Sequence, residues 1–257
     1  MSKHPTKRPY RLYPAYCFQS SPTYNAWVKL TAVDVHALRS EPEFQGQSIY
    51  FYLNHPVRFV RVVGVVAAID DINERYSALT LDDGSGENIE LRIVRTGPGE
   101  QETNKASSNT MISGVNVISR FGVFDIAVEG QVLEIGTVVK AKGTISEFRG
   151  MKQLELKRLQ IVSSTNEESQ AWAETAAFKT SVLSVPWRVT SAQHSEIKSK
   201  IKADKRRAKE YDRRVREYEV KRAEHETIKA AHHAQKEAKR EARRRKEEAM
   251  MNSGALL

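Results

Sequence analysis

The sequence predicts a mainly β domain, a five-stranded barrel with flanking helices, followed by a long charged C-terminal helix. Three observations carry that expectation. Twelve of the 13 glycines lie at or before Gly150 and neither Gly nor Pro occurs between Trp187 and Gly254, so turn chemistry fills the first part of the chain and is missing from the last. Charge divides the chain at the same place: residues 191–257 hold 20 Lys/Arg against 12 Asp/Glu, whereas residues 1–190 are nearly balanced. The stretch NHPVRFVRVVGVVAAID, Asn54 to Asp70, is rich in Val, broken once by Gly64 and too long for an ordinary strand.

With 257 residues, 40% of them hydrophobic, the chain can bury one good core. Its net charge of +9 mostly describes the terminal quarter and says little about a binding face on the body. Cys17 is the only cysteine, which rules out an intramolecular disulfide and a CxxC zinc pair. The N-terminus, MSKHPTKRPYRLYPAY, has early positive charge with no apolar run behind it, and no stretch reaches the length of a membrane span, so an intracellular protein without a membrane is expected. No P-loop, HExxH or GxSxG occurs, so neither an enzyme nor a cofactor or metal is expected.

Residues 1–47 read as an N-terminal extension, a polar flap with one short helix. In WVKLTAVDVHALRS, Thr31 followed by Asp34 resembles a capping arrangement, and Val33, Val35, Ala37 and Leu38 are the residues such a helix would turn to a core. Residues 48–165 carry the β signal. After the Val-rich run, Leu79 and Leu81 alternate with polar neighbours, as do Ile89, Leu91 and Ile93, and Asp-Gly-Ser-Gly between them predicts a hairpin over Tyr76 to Arg95. TGPGEQETNKASSNTMISG has no periodicity and reads as a surface loop. β signals return at FGVFDIAV and in a second long hairpin that turns at Arg149-Gly150, with Val138, Leu154, Leu156, Leu159 and Ile161 as its apolar positions.

One long strand, a tight hairpin, an irregular connection and a final hairpin make five strands. A sheet of these lengths exposes two edges unless it closes, and partly closed five-stranded barrels of this order are the OB-fold. Gly64 then tolerates the bulge that a first strand serving both halves of the barrel requires. Residues 166–187 read as a barrel-flanking helix capped by Asn166, with Ala171, Trp172, Thr175, Phe178 and Val182 on one broad face, ended by Pro186 in the VPW segment. Residues 188–257 form a charged helical tail whose seven-residue spacing of Ile201, Ala208 and Val215 lasts barely three heptads.

Six ordered blocks, YPAYCF, SPTYNAWVKLTAVDVHAL, FYLNHPVRFVRVVGVVAAID, TLDDGSGENIEL, GTVVKAKGTISEFRGMKQL and VLSVPW, resemble the fungal Stn-type subunit of the CST (Cdc-Stn-Ten) telomere-capping complex, related to the middle subunit of replication protein A. The resemblance implies an OB-fold subunit in the nucleus, at the telomere. Its implied partners are a smaller Ten-type OB-fold protein, a third CST subunit and single-stranded telomeric DNA. Some family members carry winged-helix domains where this chain has its charged helix, so contacts with polymerase α that rest on those domains are not carried over.

OB-folds hold single strands on the outer faces of the second and third strands and on the first and last hairpin loops, through aromatic stacking and cations on phosphates. By that rule Tyr76, Arg92 and Arg95, with Phe148, Arg149 and Lys152 at the final hairpin, are the candidate DNA-binding residues. A solvated strand face is the competing explanation of each, and the better one for any single arginine, whereas the cluster does better than its members. Asp82 and Asp83 are accounted for by the hairpin turn and make no metal or acid/base site. Trp172, Phe178 and Val182 are the candidate partner-binding residues, with sealing of the barrel as the competing role; the resemblance sets the Ten-type partner against this helix. The runs DKRRAKEYDRR and KREARRRKEE suit nuclear import, phosphate contacts or a solvated helix. Two other functions compete with the telomeric one: a protein-interaction adaptor that binds no DNA, and a general single-strand-binding subunit of the replication protein A kind.

Overall fold

Period-two alternation shapes most of the first 161 residues, and 3.6-residue helical repeats shape the remainder. The computed structural model describes residues 10–96, 109–120 and 123–254. In chain order its elements are Trp27–Lys29 (β1), Ala32–Ala37 (α1), Tyr50–Tyr52 (β2), His55–Val57 (β3), Phe59–Asn73 (β4), Tyr76–Asp82 (β5), Asn88–Val94 (β6), Val115–Arg120 (β7), Val123–Val128 (β8), Gln131–Val132 (β9), Val138–Phe148 (β10), Met151–Ile161 (β11), Thr165–Phe178 (α2) and Ser191–Gly254 (α3). The chain separates into two compact units, Met1–Gln193 and His194–Leu257.

In the first unit β4 pairs antiparallel with β10 through its first half and with β5 through its second. The hairpins β5–β6 and β10–β11 extend from these partners, and a parallel seam of two residue pairs, Leu154 with Leu91 and Glu155 with Arg92, draws β11 to β6. That ring of pairings has the order of the OB-fold. Inside it, Val60, Val62, Leu79, Leu81, Ile89, Leu91, Ile93, Val139, Ala141, Leu154 and Leu156 form the core, which leaves Phe59, Arg61, Lys140 and Lys142 facing outward, one residue out of phase.

Gly64 lies where β4 passes from one partner to the other. A Cβ there would sit 2.6 Å from the carbonyl oxygen of Asp82, so close approach of two strands, rather than a bulge at the glycine itself, is what demands this residue. The register shift falls two residues later, between Val66 and Ala68. Gly143 has the same role in β10, where a Cβ would meet the Glu155 carbonyl oxygen at 2.6 Å.

The structure corrects the sequence reading in five further places. Asn54–Val57 does not belong to the long strand, because the chain turns at Leu53 with φ of 52° and β2–β3 forms a separate hairpin before β4 begins. Residues 1–47 contribute a strand, β1, parallel to the start of β4 with Trp27 opposite Phe59 and Lys29 opposite Arg61. The connection after β6 contains a three-stranded sheet, β7-β8-β9, that adds Val115, Val117, Ile126 and Val128 to the core; residues 97–108 of the expected loop lie outside the described residues. Helix α2 is capped by Ser164, whose Oγ accepts the Glu167 N–H at 3.3 Å, and not by Asn166. The Thr31 cap of α1 does form, but Val33 and Ala37 face outward and only Val35 and Leu38 of the four apolar residues are buried.

Polar side chains tie remote segments together. The Asn54 side chain donates to the carbonyls of Arg11 (3.0 Å) and Trp187 (2.8 Å) and accepts the Trp187 N–H at 2.8 Å. His55 Nε2 donates to the Val185 carbonyl at 2.8 Å. The NHP and VPW blocks are therefore the two halves of one clasp, over which Trp187 packs on Tyr13 and on the cluster of Phe18, Phe44, Ile49 and Phe51. In the second unit, α3 is held by exposed ion pairs three and four residues apart, such as Arg214–Glu210 and Arg222–Glu226, and Tyr211, Tyr218 and Ile228 stand exposed along it.

Candidate partner and nucleic-acid interfaces

Helix α2 lies on the outer face of β1 and β4, and charge holds it there. Arg61 leaves β4 with its side chain only 7% exposed and reaches Glu174 at 2.7 Å, the Ala171 carbonyl at 3.0 Å and Thr175 Oγ1 at 3.2 Å. Lys29 of β1 joins the same carboxylate at 3.0 Å. Hydrogen bonds first from Lys29 and then from Arg61 hold the Glu174 carboxyl below its ordinary range. Near the helix start Lys140 meets Glu167 at 2.9 Å, and just beyond its end Lys179 meets Asp34 at 2.8 Å. The arginine that looks anomalous in an apolar strand is thus the anchor of the helix. A charge inside a Val run was its only sequence signal.

This anchoring decides how the three candidate partner residues are presented. Phe178 and Val182 pack against the barrel core. Trp172 does not: it is 51% exposed, one residue from the buried Ala171, and lines a groove of about 220 Å³ with Leu30, Thr31, Val63, Ala176 and Lys179. Trp172 is thus a large aromatic side chain left half in solvent on a helix that four ion pairs hold in place.

On β5 and β6, Tyr76 and Arg92 come together. They sit diagonally across β5 and β6, where Ala78 opposes Arg92 and Tyr76 opposes Val94, and the guanidinium lies 4.6 Å from the tyrosine ring centroid. Glu155 of β11 stands 3.9 Å from Arg92. At the tip of the last hairpin, Phe148 is 58% exposed and Arg149 stacks 5.1 Å from its ring centroid. The other two candidates are engaged within the domain. Arg95 is ion-paired with Asp71, donates to Ser77 Oγ at 2.7 Å and lies over Phe124. Lys152 Nζ donates to the His36 carbonyl at 2.8 Å, closing the C-terminal end of α1. Asp83 is occupied too, accepting the Ala32 N–H at 2.7 Å.

The family model described as "Telomere regulation protein Stn1" matches residues 36–255. Over 178 residues the chain is 26% identical to Protein stn1 of Schizosaccharomyces pombe, covering 69% of this chain and 45% of that protein. Over 142 residues it is 23% identical to CST complex subunit STN1 of Bos taurus, covering 55% of this chain and 37% of that protein. The chain spans less than half the length of these curated relatives. Among solved structures it is similar to the S. pombe Stn1-ten1 complex, with 23% identity, a TM-score of 0.45 and coverage of 62% of this chain and 96% of that one.

Proposed function

Because this chain belongs to the Stn1 telomere-regulation family, we propose that it is a non-enzymatic subunit of a nuclear telomere-end complex. It joins a small Ten-type OB-fold protein through the outer edge of α2 and holds single-stranded telomeric DNA on the outer face of β5–β6. The observation that carries the reading is Trp172, half exposed on a helix that four ion pairs hold in place. The presence of "Ten1" and "CST" in the names of its relatives supports the partner and a third subunit.

For DNA, the supporting feature is the Tyr76–Arg92 stack with Phe148 and Arg149 at the neighbouring hairpin tip. Stacking of a base contributes about 1–3 kcal/mol, so these rings outweigh any one exposed cation. The adaptor reading has an observation in its favour as well: Glu155 holds Arg92, and Asp82, Glu87 and Glu90 are exposed along the same hairpin. The two separate by titration. A complex with the Ten-type protein is formed, and a telomeric overhang oligonucleotide is added to it with Tyr76, Arg92, Phe148 and Arg149 intact or all replaced by Ala. We expect affinity to fall at least about tenfold, with a shallower salt dependence. Unchanged binding by a folded variant leaves the adaptor as the function of this face.

A further inference from the structure

The outer face of β1, β4, β10 and β11 carries a pattern that no single stretch of sequence displays. Strand register sets Lys29 opposite Arg61, Arg61 opposite Lys142, and Lys142 opposite Arg158, four cations in one row across four strands. Like charges directly opposite one another destabilise a sheet. Glu174 relieves Lys29 and Arg61 at one end, but no ion pair joins Lys142 or Arg158 to a carboxylate among the described residues. Burial, and then Arg158, Arg61 and Lys140, lower the affinity of Lys142 for its proton.

Two residues along each of β1 and β4, on the same face, stand Trp27 and Phe59, edge to face at 5.3 Å and each half-buried. Lys142 Nζ lies 6.0 Å from the Trp27 ring centroid, and Arg58 lies 5.2 Å from Phe59 and 5.0 Å from Tyr24. Rings and cations therefore run as one track, from Tyr24 and Arg58 through Phe59 and Trp27 to Lys142 and Arg158. We infer that this track is a second single-stranded nucleic-acid site, with phosphates on Lys142 and Arg158 and bases against the Phe59 and Trp27 rings. Cations without carboxylates, one of them 6.0 Å from a partly exposed ring, match a strand with alternating charge and π-faces. An acidic peptide would use the cations and leave the rings idle. The site adds a second contact to the DNA binding proposed above and does not depend on the Tyr76–Arg92 face.

The test uses the full chain and a fluorescent oligothymidine, with affinity read by anisotropy at several salt concentrations. Cations on α3 are present in every variant and contribute equally. Each phosphate contact contributes about 0.7 to the single-strand salt slope, so Lys142→Gln with Arg158→Gln is expected to lower the slope by about 1.4 and affinity at 0.1 M salt by roughly 25-fold. Removal of unpaired like charges keeps or raises the melting temperature, so the loss cannot be attributed to unfolding. In the wild-type protein, photocross-linking with iodouridine-substituted oligonucleotide is expected to label the peptide containing Trp27 or Phe59. An unchanged slope overturns the site, as does loss of all binding in Tyr76→Ala with Arg92→Gln while the Lys142/Arg158 pair has no effect; that second result leaves the β5–β6 face standing. A slope lost only in the Lys142/Arg158 variant supports this site and removes the other. Full displacement by polyglutamate with no ring cross-link assigns the track to an acidic peptide and also overturns it.

Discussion

Helices α2 and α3 are both bound by ion pairs, yet they use charge in opposite ways. The pairs around α2 join residues up to 145 positions apart, and at their centre is an arginine side chain 7% exposed. Those of α3 join residues three or four apart, with both members largely in water. A long-range pair fixes where a helix sits; a local pair only sustains its winding. Net charge does not disclose this difference: the basic excess lies in α3, whereas the charges that position a candidate interface lie in the nearly neutral body.

The sharpest way to break this contrast is Glu174→Ala. It removes the carboxylate paired with the buried Arg61 guanidinium and is expected to destabilise the first unit by about 2 kcal/mol, between the values for an exposed pair and a buried one, as measured by chemical unfolding. A change below about 0.5 kcal/mol would make the α2 clamp no stronger than the pairs of α3.

Acidification probes the long-range side of the comparison separately, through the clasp. Burial lowers the His55 pKa beneath its ordinary 6.5, against the opposing effect of the hydrogen bond to Val185. As pH falls the unfolded chain takes the proton first, so the stability is fully present above about 6.5 and is lost through the window below that value. Melting temperature should fall between pH 7.5 and 5.5 in the wild-type protein and vary less in His55→Gln. Equal slopes would remove His55 from the account.

The smallest effect belongs to α3. Glu210→Ala should change the helical circular dichroism signal only slightly, by the equivalent of about 0.3–0.5 kcal/mol, and 1 M salt should cancel even that difference. A large cooperative loss would mean that this residue makes contacts beyond its own helix.

The same division explains what sequence could disclose. Local chemistry was legible: the Asp-Gly-Ser-Gly hairpin, the Arg149-Gly150 turn with both residues at positive φ, and the Thr31 cap all form where the residues indicate. Pairings between distant segments were not. Three residues of β1 show no periodicity of their own, and β7 follows directly on the polar connection that ends at Gly114. The break at Arg58 between β3 and β4 was hidden because Val57 and Phe59 on either side of it are both apolar. At the candidate sites, sequence named Tyr76 and Arg92 from strand phase, but only the structure shows that Arg95 and Lys152 are engaged within the domain. The row from Lys29 to Arg158 draws one residue from each of four strands and required their register.

If a helix fixed by distant charges presents Trp172 to a partner, calorimetric titration of the Ten-type protein into Trp172→Ala and Phe178→Ala, each with its melting curve, will separate the two residues. Phe178 packs on the core whereas Trp172 is 51% exposed. Trp172→Ala should therefore keep the wild-type melting temperature and lose about 2 kcal/mol of binding, some thirtyfold in affinity; Phe178→Ala should chiefly lower the melting temperature. Wild-type affinity in a stable Trp172→Ala protein would contradict the claim.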